Sequence, residues 1–326
     1  MFINVIMLII GFALLIKGAD LLVDGASNIA KKFHIPEIII GLTVVAIGTS
    51  MPELVVSTTS AIQGHSDIAL GNIVGSNIAN LFLILGACSI IRPLAFKKET
   101  IFIENPITIL ATGLLFFLCL NNGQNEITRI EGLILLLLTA IFILYNIIMA
   151  KRGDAGEEKQ QSQGKIVEKV QDISKIDTYK SILFIVLGIL ALKYGGDFVV
   201  DSASAIAMAI GISEKLISLT IVAISTSLPE LITSVTATIK GETDMAIGNI
   251  VGSQIFNILL IIGLSSVLNP ISYSRLYNED LVLLLAGNIV FALYPFIGEK
   301  NKMTRENGIL FVIVYAVYMI NIIFGN

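Results

Sequence analysis

Two glutamates, Glu53 and Glu230, lie in nearly identical segments, AIGTSMPEL at 46–54 and AISTSLPEL at 223–231. In each segment a proline comes just before the glutamate. Proline cannot donate a backbone hydrogen bond, and its ring clashes with the carbonyl one helical turn earlier. We therefore expect freed carbonyl oxygens beside each carboxylate. The neighbouring side chains add hydroxyl oxygens, from Thr49, Ser50, Thr226 and Ser227. An all-oxygen set of this kind suits hard cations such as Na+ and Ca2+.

The elements that carry these glutamates are predicted to be membrane-spanning helices. The chain has 326 residues, of which 55% are hydrophobic and 14% charged, and its mean hydropathy is +0.87. The apolar residues form runs of about 20, the length that a hydrocarbon core of ~30 Å requires. The runs do not alternate apolar and polar residues, which argues against a β-barrel. We predict an all-α integral membrane protein with about ten spans: Phe2–Leu22, Ile35–Gln63, Ile68–Ile91, Pro106–Leu120, Ile130–Ala150, Ile182–Ala209, Ile212–Lys240, Ala246–Leu268, Leu281–Gly298 and Asn307–Phe324.

The chain is an internal duplication. Residues 20–80 align without a gap on residues 197–257, and 34 of the 61 positions are identical. Each half contains five predicted spans, so the second half must enter the membrane from the opposite side. Inverted repeats of this kind are typical of secondary transporters that bind substrate near the midplane. We predict a first repeat at 1–150, a flexible or weakly helical linker at 151–180 and a second repeat at 181–326.

A second repeated block supplies further polar groups. It reads DIALGNIVGSNIAN at 67–80 and DMAIGNIVGSQIFN at 244–257. Its serines and last asparagines could complete an ion's coordination shell: Ser76, Asn80, Ser253 and Asn257. The plainer interpretation is that small residues allow close helix packing and that the asparagines hydrogen-bond between helices.

The glutamates need positive charge. A carboxylate midway along a span costs roughly 2.5–3.5 kcal/mol on insertion scales, and no lysine or arginine lies beside Glu53 or Glu230 in its span. Two carboxylates brought together by the pseudo-two-fold axis would repel each other. One Ca2+, two Na+ or two protons could neutralise them, and competition among these alternatives is already a basis for exchange. Alternatively, each glutamate is protonated and serves only to hydrogen-bond one helix to another.

Basic residues predict the orientation. Of the 21 lysines and arginines, 16 fall on one side of the predicted spans, three on the other and two inside spans. The richer side is predicted to be cytoplasmic, so both termini face outward. We expect Asp20, Asp24, Asp197 and Asp201 to attract cations or, more simply, to pair with Lys17 and Lys193 or meet water. Cys88 and Cys119 are expected to be core residues.

The twice-repeated motif G/S-T-S-x-P-E followed by G-N-x-x-G-S-x-x-x-N resembles the Na+/Ca2+ exchanger family of the cation/Ca2+ exchanger superfamily, in its prokaryotic form. The resemblance covers essentially the whole chain and implies alternating access around a cluster of four ion sites. It implies that Glu53 and Glu230 are shared by Ca2+ and Na+. Asparagine at both Asn80 and Asn257 resembles the K+-independent branch. The resemblance further implies that Thr49 and Thr226 help at the calcium site, that Asn80 and Asn257 line the middle, and that the outer sodium sites use Ser50, Ser227, Ser76, Ser253 and the carbonyls of Ala46 and Ala223.

Two rival functions remain open from the sequence. A Ca2+/H+ antiporter could use the same two carboxylates, and a cation channel is a less favoured alternative. No arrangement typical of an intramembrane protease is present in the spans, so we expect no enzymatic activity. Ca2+ and Na+ are expected as transported ions and not as cofactors, in a prokaryotic cell membrane. We expect contact with the lipid bilayer, with no nucleic acid and no obligate protein partner.

Overall fold

The protein is a bundle of long apolar helices. The computed structural model describes residues 2–121, 126–160, 177–210, 225–297 and 301–324. Within these ranges, eight helices are long and apolar enough to cross a membrane, and a bent pair, Glu37–Thr49 with Met51–Ile62, makes a ninth. A tenth predicted span, Ile212–Lys240, is described only from residue 225, where it contains the helix Leu228–Lys240. These helices confirm the predicted all-α membrane fold.

The spans are numbered here in chain order, and several consist of consecutive helical segments. Within the described ranges four segments are π-helical: Gly41–Val45, Ala79–Ile84, Thr100–Glu104 and Asn257–Ile262. The full bounds are Phe2–Lys32 for span 1; Glu37–Ile40, Gly41–Val45, Ala46–Thr49 and Met51–Ile62 for span 2; Ser66–Ile78, Ala79–Ile84 and Leu85–Ile91 for span 3; Thr100–Glu104 and Asn105–Asn121 for span 4; Arg129–Gln160 for span 5; Thr178–Ala209 for span 6; Leu228–Lys240 for span 7; Thr243–Phe256, Asn257–Ile262 and Gly263–Leu268 for span 8; Arg275–Tyr277, Asn278–Leu293 and Tyr294–Phe296 for span 9; and Arg305–Phe324 for span 10.

The predicted ends of several spans were wrong: the helix of span 5 continues beyond Ala150 to Gln160, and span 9 begins at Arg275 and not at Leu281. Span 1 continues beyond Leu22 to Lys32, because its charged residues pair with neighbours and do not end the helix. Span 4 begins at Thr100 and not at Pro106, because a proline is tolerated in the first turn of a helix and does not mark where the span begins. The predicted linker at 151–180 is described only at its margins, and residues 161–176 lie outside the described residues.

Two short strand pairs join the connections between spans. Strand β1 (Leu94–Ala95) pairs antiparallel with β4 (Lys302–Met303), and β2 (Glu126–Ile127) pairs antiparallel with β3 (Ile271–Ser272). If successive spans cross the membrane in opposite directions, the connections between spans 3 and 4 and between spans 9 and 10 lie on one face. The connections between spans 4 and 5 and between spans 8 and 9 lie on the other face, as the strand pairing requires. Strands β1 and β3 occupy equivalent positions 177 residues apart, so equivalent parts of the two halves lie on opposite faces. This is the geometry of inverted repeats.

Spans 3 and 8 form the centre of the bundle. In the most apolar stretches of these two spans 78% and 83% of the residues are buried, against 44% or less in the six other unbroken spans among the described residues. Span 5 instead presents large apolar side chains outward, including Ile130, Leu133, Leu137 and Leu144. Because a bilayer covers such a surface at no hydrophobic cost, the outer spans act as a lipid-facing scaffold around spans 2, 3, 7 and 8.

Glycines allow span 2 to cross span 8 with the two backbones in contact. A Cβ atom at Gly41 would lie 2.5 Å from the carbonyl oxygen of Met245, and one at Gly248 would lie 2.4 Å from that of Ile38. Neither distance can accommodate a side chain. This crossing brings an element of the first repeat against one of the second, and it therefore sets how closely the two halves approach at the centre.

Ion pairs hold span 1 to the connection between spans 7 and 8. Lys31 contacts Glu242 at 3.0 Å, and Lys240 contacts Asp24 at 2.7 Å and Asp20 at 3.2 Å. Burial alone would raise the pKa of Glu242, but hydrogen bonds to neighbouring side chains and the charge of Lys31 hold the pKa below its ordinary value. Glu242 therefore remains charged at neutral pH, and this connection stays attached to span 1.

Two smaller sequence expectations are confirmed. Asp20 lies 3.6 Å from Lys17, and Asp197 lies 3.3 Å from Lys193, so these carboxylates do pair with the nearby lysines. Both cysteines are free thiols inside the protein, Cys88 and Cys119.

Candidate functional site

The helix of span 2 breaks at Ser50, immediately before the predicted site glutamate. Ser50 has non-helical dihedral angles (φ −81°, ψ 9°), and the two halves of the span meet at 50°. Span 7 has the same feature, because Ser227 (φ −86°, ψ 1°) precedes its helix. In both spans proline occupies the first turn after the break, where its missing N–H would be unpaired in any case.

Each break places a carboxylate at the start of a helix. Glu53 and Glu230 lie in the first turns of Met51–Ile62 and Leu228–Lys240. The unpaired N–H groups and the helix dipole at such an end favour negative charge by up to about 2 kcal/mol in buried positions. Both side chains are fully enclosed, with exposures of 1% and 0%. The break therefore stabilises a charge at a depth where the membrane would otherwise exclude it.

Serine hydroxyls contact one oxygen of each carboxylate. Ser50 donates to Oε1 of Glu230 at 2.9 Å, and Ser76 donates to Oε1 of Glu53 at 3.4 Å. The first of these bonds crosses from one repeat to the other. Ser50 lies three residues before Glu53 in the same span, so this bond brings Glu230 against the segment that carries Glu53. The pseudo-two-fold axis therefore brings Glu53 and Glu230 together in one site, as the sequence predicted.

Several oxygens of this site are buried without any hydrogen-bond partner. Six of them belong to residues predicted as ion ligands, two from the first repeat and four from the second: Oε2 of Glu53, Oδ1 of Asn80, Oγ of Ser227, Oε2 of Glu230, Oγ of Ser253 and Oδ1 of Asn257. Buried polar atoms in folded proteins are almost always paired, so an unpaired group of this size needs an explanation. All six are oxygen donors, the kind of ligand that Na+ and Ca2+ prefer.

The asparagines of the site lie where spans 3 and 8 change from α- to π-helix. Asn80 is the second residue of Ala79–Ile84, and Asn257 is the first residue of Asn257–Ile262. Single π-turns inside α-helices are frequent at functional sites. The amide nitrogen of Asn257 donates to Oδ1 of Asn77 at 2.9 Å, which leaves the Asn257 oxygen free to face a ligand.

The structure places several of the residues that the sequence selected in contact with one another. Thr49 and Thr226 lie in the same cluster, since Thr226 lies 3.4 Å from Ser76 and Thr49 donates at 3.4 Å to the carbonyl of Ala46. Ala223 lies outside the described residues. No group of three or more acidic, histidine or cysteine side chains suited to a metal occurs in the described ranges. The site therefore consists of two carboxylates and neutral oxygens.

Sequence reasoning missed several polar residues around the site. Five of them are engaged with its members or with each other: Ser57, Asn72, Asn77, Ser234 and Asn249. The pairs Ser57/Ser234 and Asn72/Asn249 are identical at repeat-related positions, and that identity was the available signal. A third buried carboxylate, Glu104 in span 4, was also missed. The charged groups that act on it are Glu99, Asp244 and Lys97.

Taken together, broken helices in two inverted repeats, with a buried pair of carboxylates between them, define a secondary transporter of cations. Comparison with known proteins identifies the family. The family model described as sodium/calcium exchanger protein matches residues 3–148 and 180–324. The chain belongs to the sodium/calcium exchanger family.

Individual relatives agree with this assignment. The chain is 31% identical over 348 residues to the sodium/calcium exchanger MaX1 of Methanosarcina acetivorans, covering 98% of each chain. It is 36% identical over 290 residues to the inner membrane protein YrbG of Escherichia coli, covering 88% of this chain and 87% of that protein. A solved structure of the sodium-calcium exchanger NCX_Mj, soaked with Na+ and Sr2+, matches with a TM-score of 0.81 and 28% identity over 97% of each chain.

Proposed function

We propose that this protein is an antiporter that exchanges Ca2+ for Na+ across a membrane by alternating access, without a requirement for K+. One observation carries the proposal: six unpaired buried oxygens, two from the first repeat and four from the second, on Glu53, Glu230 and other predicted ligands. Membership of the sodium/calcium exchanger family supports the choice of ions. The oxygen-only chemistry of the set agrees with it, because Na+ and Ca2+ are hard cations.

The charge of the site gives the basis for exchange. Two buried carboxylates carry a charge of −2, which one Ca2+ or two Na+ neutralise equally. If Ca2+ and Na+ occupied the two carboxylates at the same time, they would leave excess positive charge in a medium of low dielectric constant. Binding of one ion species therefore displaces the other. Leaving the site empty and charged is costly, which disfavours return of an unloaded carrier.

We assign the ligands by repeat. In this proposal Glu53 and Glu230 bind both ions, with Thr49 and Thr226 at the central calcium position. The remaining ligands are the side chains of Ser50, Ser76, Asn80, Ser227, Ser253 and Asn257 and the backbone carbonyls of Ala46 and Ala223. Because Ser50 of one repeat contacts Glu230 of the other, a relative movement of the repeats would change the ligand set. That coupling is what alternating access needs.

The same proposal covers topology and partners. The face that bears Lys31, Lys97 and Lys240 is cytoplasmic, and both termini lie outside, on the basis of the lysine and arginine distribution. The repeats are 1–150 and 181–326, joined by the linker 151–180. Ca2+ and Na+ are substrates and not cofactors. The protein acts as a transporter and not as an enzyme, in the cell membrane, and works without an obligate protein partner.

Ca2+ uptake into proteoliposomes tests this function. Vesicles containing the purified chain are loaded with Na+ and diluted into Na+-free, K+-free buffer with radioactive Ca2+. We expect uptake that needs the outward Na+ gradient, persists with a protonophore and disappears in Glu53→Gln. Uptake driven by a pH gradient and indifferent to Na+ would instead indicate a Ca2+/H+ antiporter. Flux that does not saturate and needs no counter-ion would indicate a channel.

A further inference from the structure

Two asparagines outside the proposed ligand set connect the repeats at the site. Thr226 in span 7 donates from Oγ1 to Oδ1 of Asn72 in span 3, at 3.2 Å. Thr49 in span 2 donates from Oγ1 to Oδ1 of Asn249 in span 8, at 3.1 Å. Asn72 and Asn249 are repeat-related, 177 residues apart, and so are the two threonines. Each bond therefore crosses between repeats, and the same threonine–asparagine bond occurs twice, at two repeat-related positions.

The other end of each amide is held by its own repeat. The amide nitrogen of Asn72 donates to Oγ of Ser57, and that of Asn249 donates to Oγ of Ser234, both at 2.9 Å. Both serines are completely buried, and Ser57 donates in turn to the carbonyl of Ala69 at 3.3 Å. These contacts fix which end of the amide faces the threonine. Only the oxygen does, and an amide oxygen can accept but not donate.

This arrangement determines what the threonine hydroxyls can do. A hydroxyl has one hydrogen and two lone pairs. When Thr49 gives its hydrogen to Asn249, both lone pairs of its oxygen remain to bind a cation. Two other acceptors compete for the hydrogen of Thr49: the carbonyl of Ala46, at 3.4 Å, and the carboxylate of Glu230. Without Asn249 the hydroxyl would turn to one of these two groups, and each of them is itself a proposed ion ligand.

We propose that Asn72 and Asn249 are positioning residues of the ion site, which orient the hydroxyls of Thr226 and Thr49 as cation ligands across the boundary between repeats. This inference rests on the proposed ion site. It gives each threonine a ligand orientation set by the opposite repeat.

A double-mutant cycle on Ca2+ affinity tests the inference. Titration calorimetry on the full-length purified chain gives Ca2+ affinity for wild type, Asn249→Ala, Thr49→Val and the double variant. We expect Asn249→Ala to weaken Ca2+ binding by about 10- to 100-fold, as losses of outer-shell partners do. Once Thr49 is valine, the same substitution should have little further effect, because the hydroxyl that it orients is gone.

The repeat supplies a matched control. Asn249→Ala combined with Thr226→Val should show additive effects, since the contact of Thr226 is with Asn72. In the mirror experiment, Asn72→Ala should couple to Thr226→Val and not to Thr49→Val. Coupling is expected only for groups in contact or sharing a partner, so a general loss of stability would affect both combinations alike and would not reproduce this pattern.

Ser234→Ala keeps the measurement usable if Asn249→Ala does not fold. It removes the hydroxyl that accepts from the amide nitrogen of Asn249 and leaves the amide oxygen that accepts from Thr49. It should therefore weaken Ca2+ binding several-fold, but only while Thr49 is present. Additive effects within the contacting pairs, or unchanged affinity in the asparagine variants, would overturn the inference and leave the proposed function intact. Absence of Ca2+ binding by the wild type would overturn the proposed function and the inference with it.

Discussion

Replacing Glu230 by glutamine removes one of the two negative charges of the site while preserving its shape. Glu230 is completely buried, and its Oε1 accepts a hydrogen bond from Ser50 at 2.9 Å. The amide oxygen of glutamine can accept the same bond, although hydrogen bonds to charged groups contribute about 1.5–3 kcal/mol and neutral ones about 1 kcal/mol. The principal change is therefore the charge that faces the ion, and its effect should appear in ion binding more than in folding.

The size of the effect follows from Coulomb's law. A carboxylate oxygen about 2.4 Å from Ca2+ has a gross attraction of roughly 14 kcal/mol at an effective dielectric constant of about 20, and roughly half of that for Na+. Solvation of the free ion and the remaining oxygens offset most of this attraction. A net loss of about 3 kcal/mol or more still corresponds to a weakening of Ca2+ binding by over about 100-fold. Na+ binding should weaken less, because its charge is half as large.

Titration calorimetry with Ca2+ and with Na+ measures both effects, and Glu104→Gln is the matched control. Glu104 is also a buried carboxylate with an unpaired Oε2, and it lies in span 4 outside the proposed site. Neutralising it should leave Ca2+ affinity within about threefold of wild type, because Ca2+ is held by oxygens in direct contact at about 2.3–2.6 Å and Glu104 is not among the proposed ligands. Equal losses in Glu230→Gln and Glu104→Gln, or Ca2+ binding by Glu230→Gln that matches the wild type, would refute the charge argument.

Three further outcomes are expected. Gly41→Ala should lower the free energy of unfolding by about 1–3 kcal/mol through overpacking, because the added Cβ would lie 2.5 Å from a backbone carbonyl oxygen of span 8. The control is Gly113→Ala, whose added Cβ has nothing within 4 Å, and it should leave the melting temperature in detergent unchanged or raised. Ser253→Ala should weaken the Na+ dependence of uptake and spare Ca2+ binding, because its hydroxyl has no protein partner; unchanged Na+ dependence would count against the ligand assignment. Lys240→Gln introduces the residue that the first repeat has at position 63. It should lower the free energy of unfolding by no more than about 1 kcal/mol but speed amide hydrogen exchange in the second half of span 1. Unaltered exchange there would show that the ion pairs of Lys240 with Asp20 and Asp24 do not hold the helix.

The fold could be predicted because membrane insertion imposes few solutions on a sequence. Only helices and closed barrels satisfy the backbone inside a bilayer, so apolar runs alone gave the spans. The 177-residue repeat then gave the inversion, since each half has an odd number of spans. The ends of spans were less predictable. Span 1 was predicted to end at Leu22, but the helix continues to Lys32, and Asp20 and Asp24 form ion pairs with Lys17 and Lys240.

The central glutamates could be predicted because their chemistry is local. The proline that breaks the helix and the carboxylate that follows it are adjacent in sequence, and the second repeat confirms the pattern. Partners that depend on helix packing were not predictable in this way. The bond of Thr49 to Asn249 joins residues 200 positions apart, and which face of span 8 meets span 2 is set by the contact of Gly41 with Gly248. That contact has no signature in either span alone.

The location of a bound divalent ion is the most direct test of the ion site. Crystals of the wild-type chain soaked with Sr2+, a heavier analogue of Ca2+, would show the ion by anomalous scattering. We expect a single strong peak about 2.3–2.6 Å from a carboxylate oxygen of Glu53 and one of Glu230, the range for Ca2+ ligands, and loss of that peak at high Na+. A peak elsewhere in the protein with none between these two glutamates would contradict the assignment of the site.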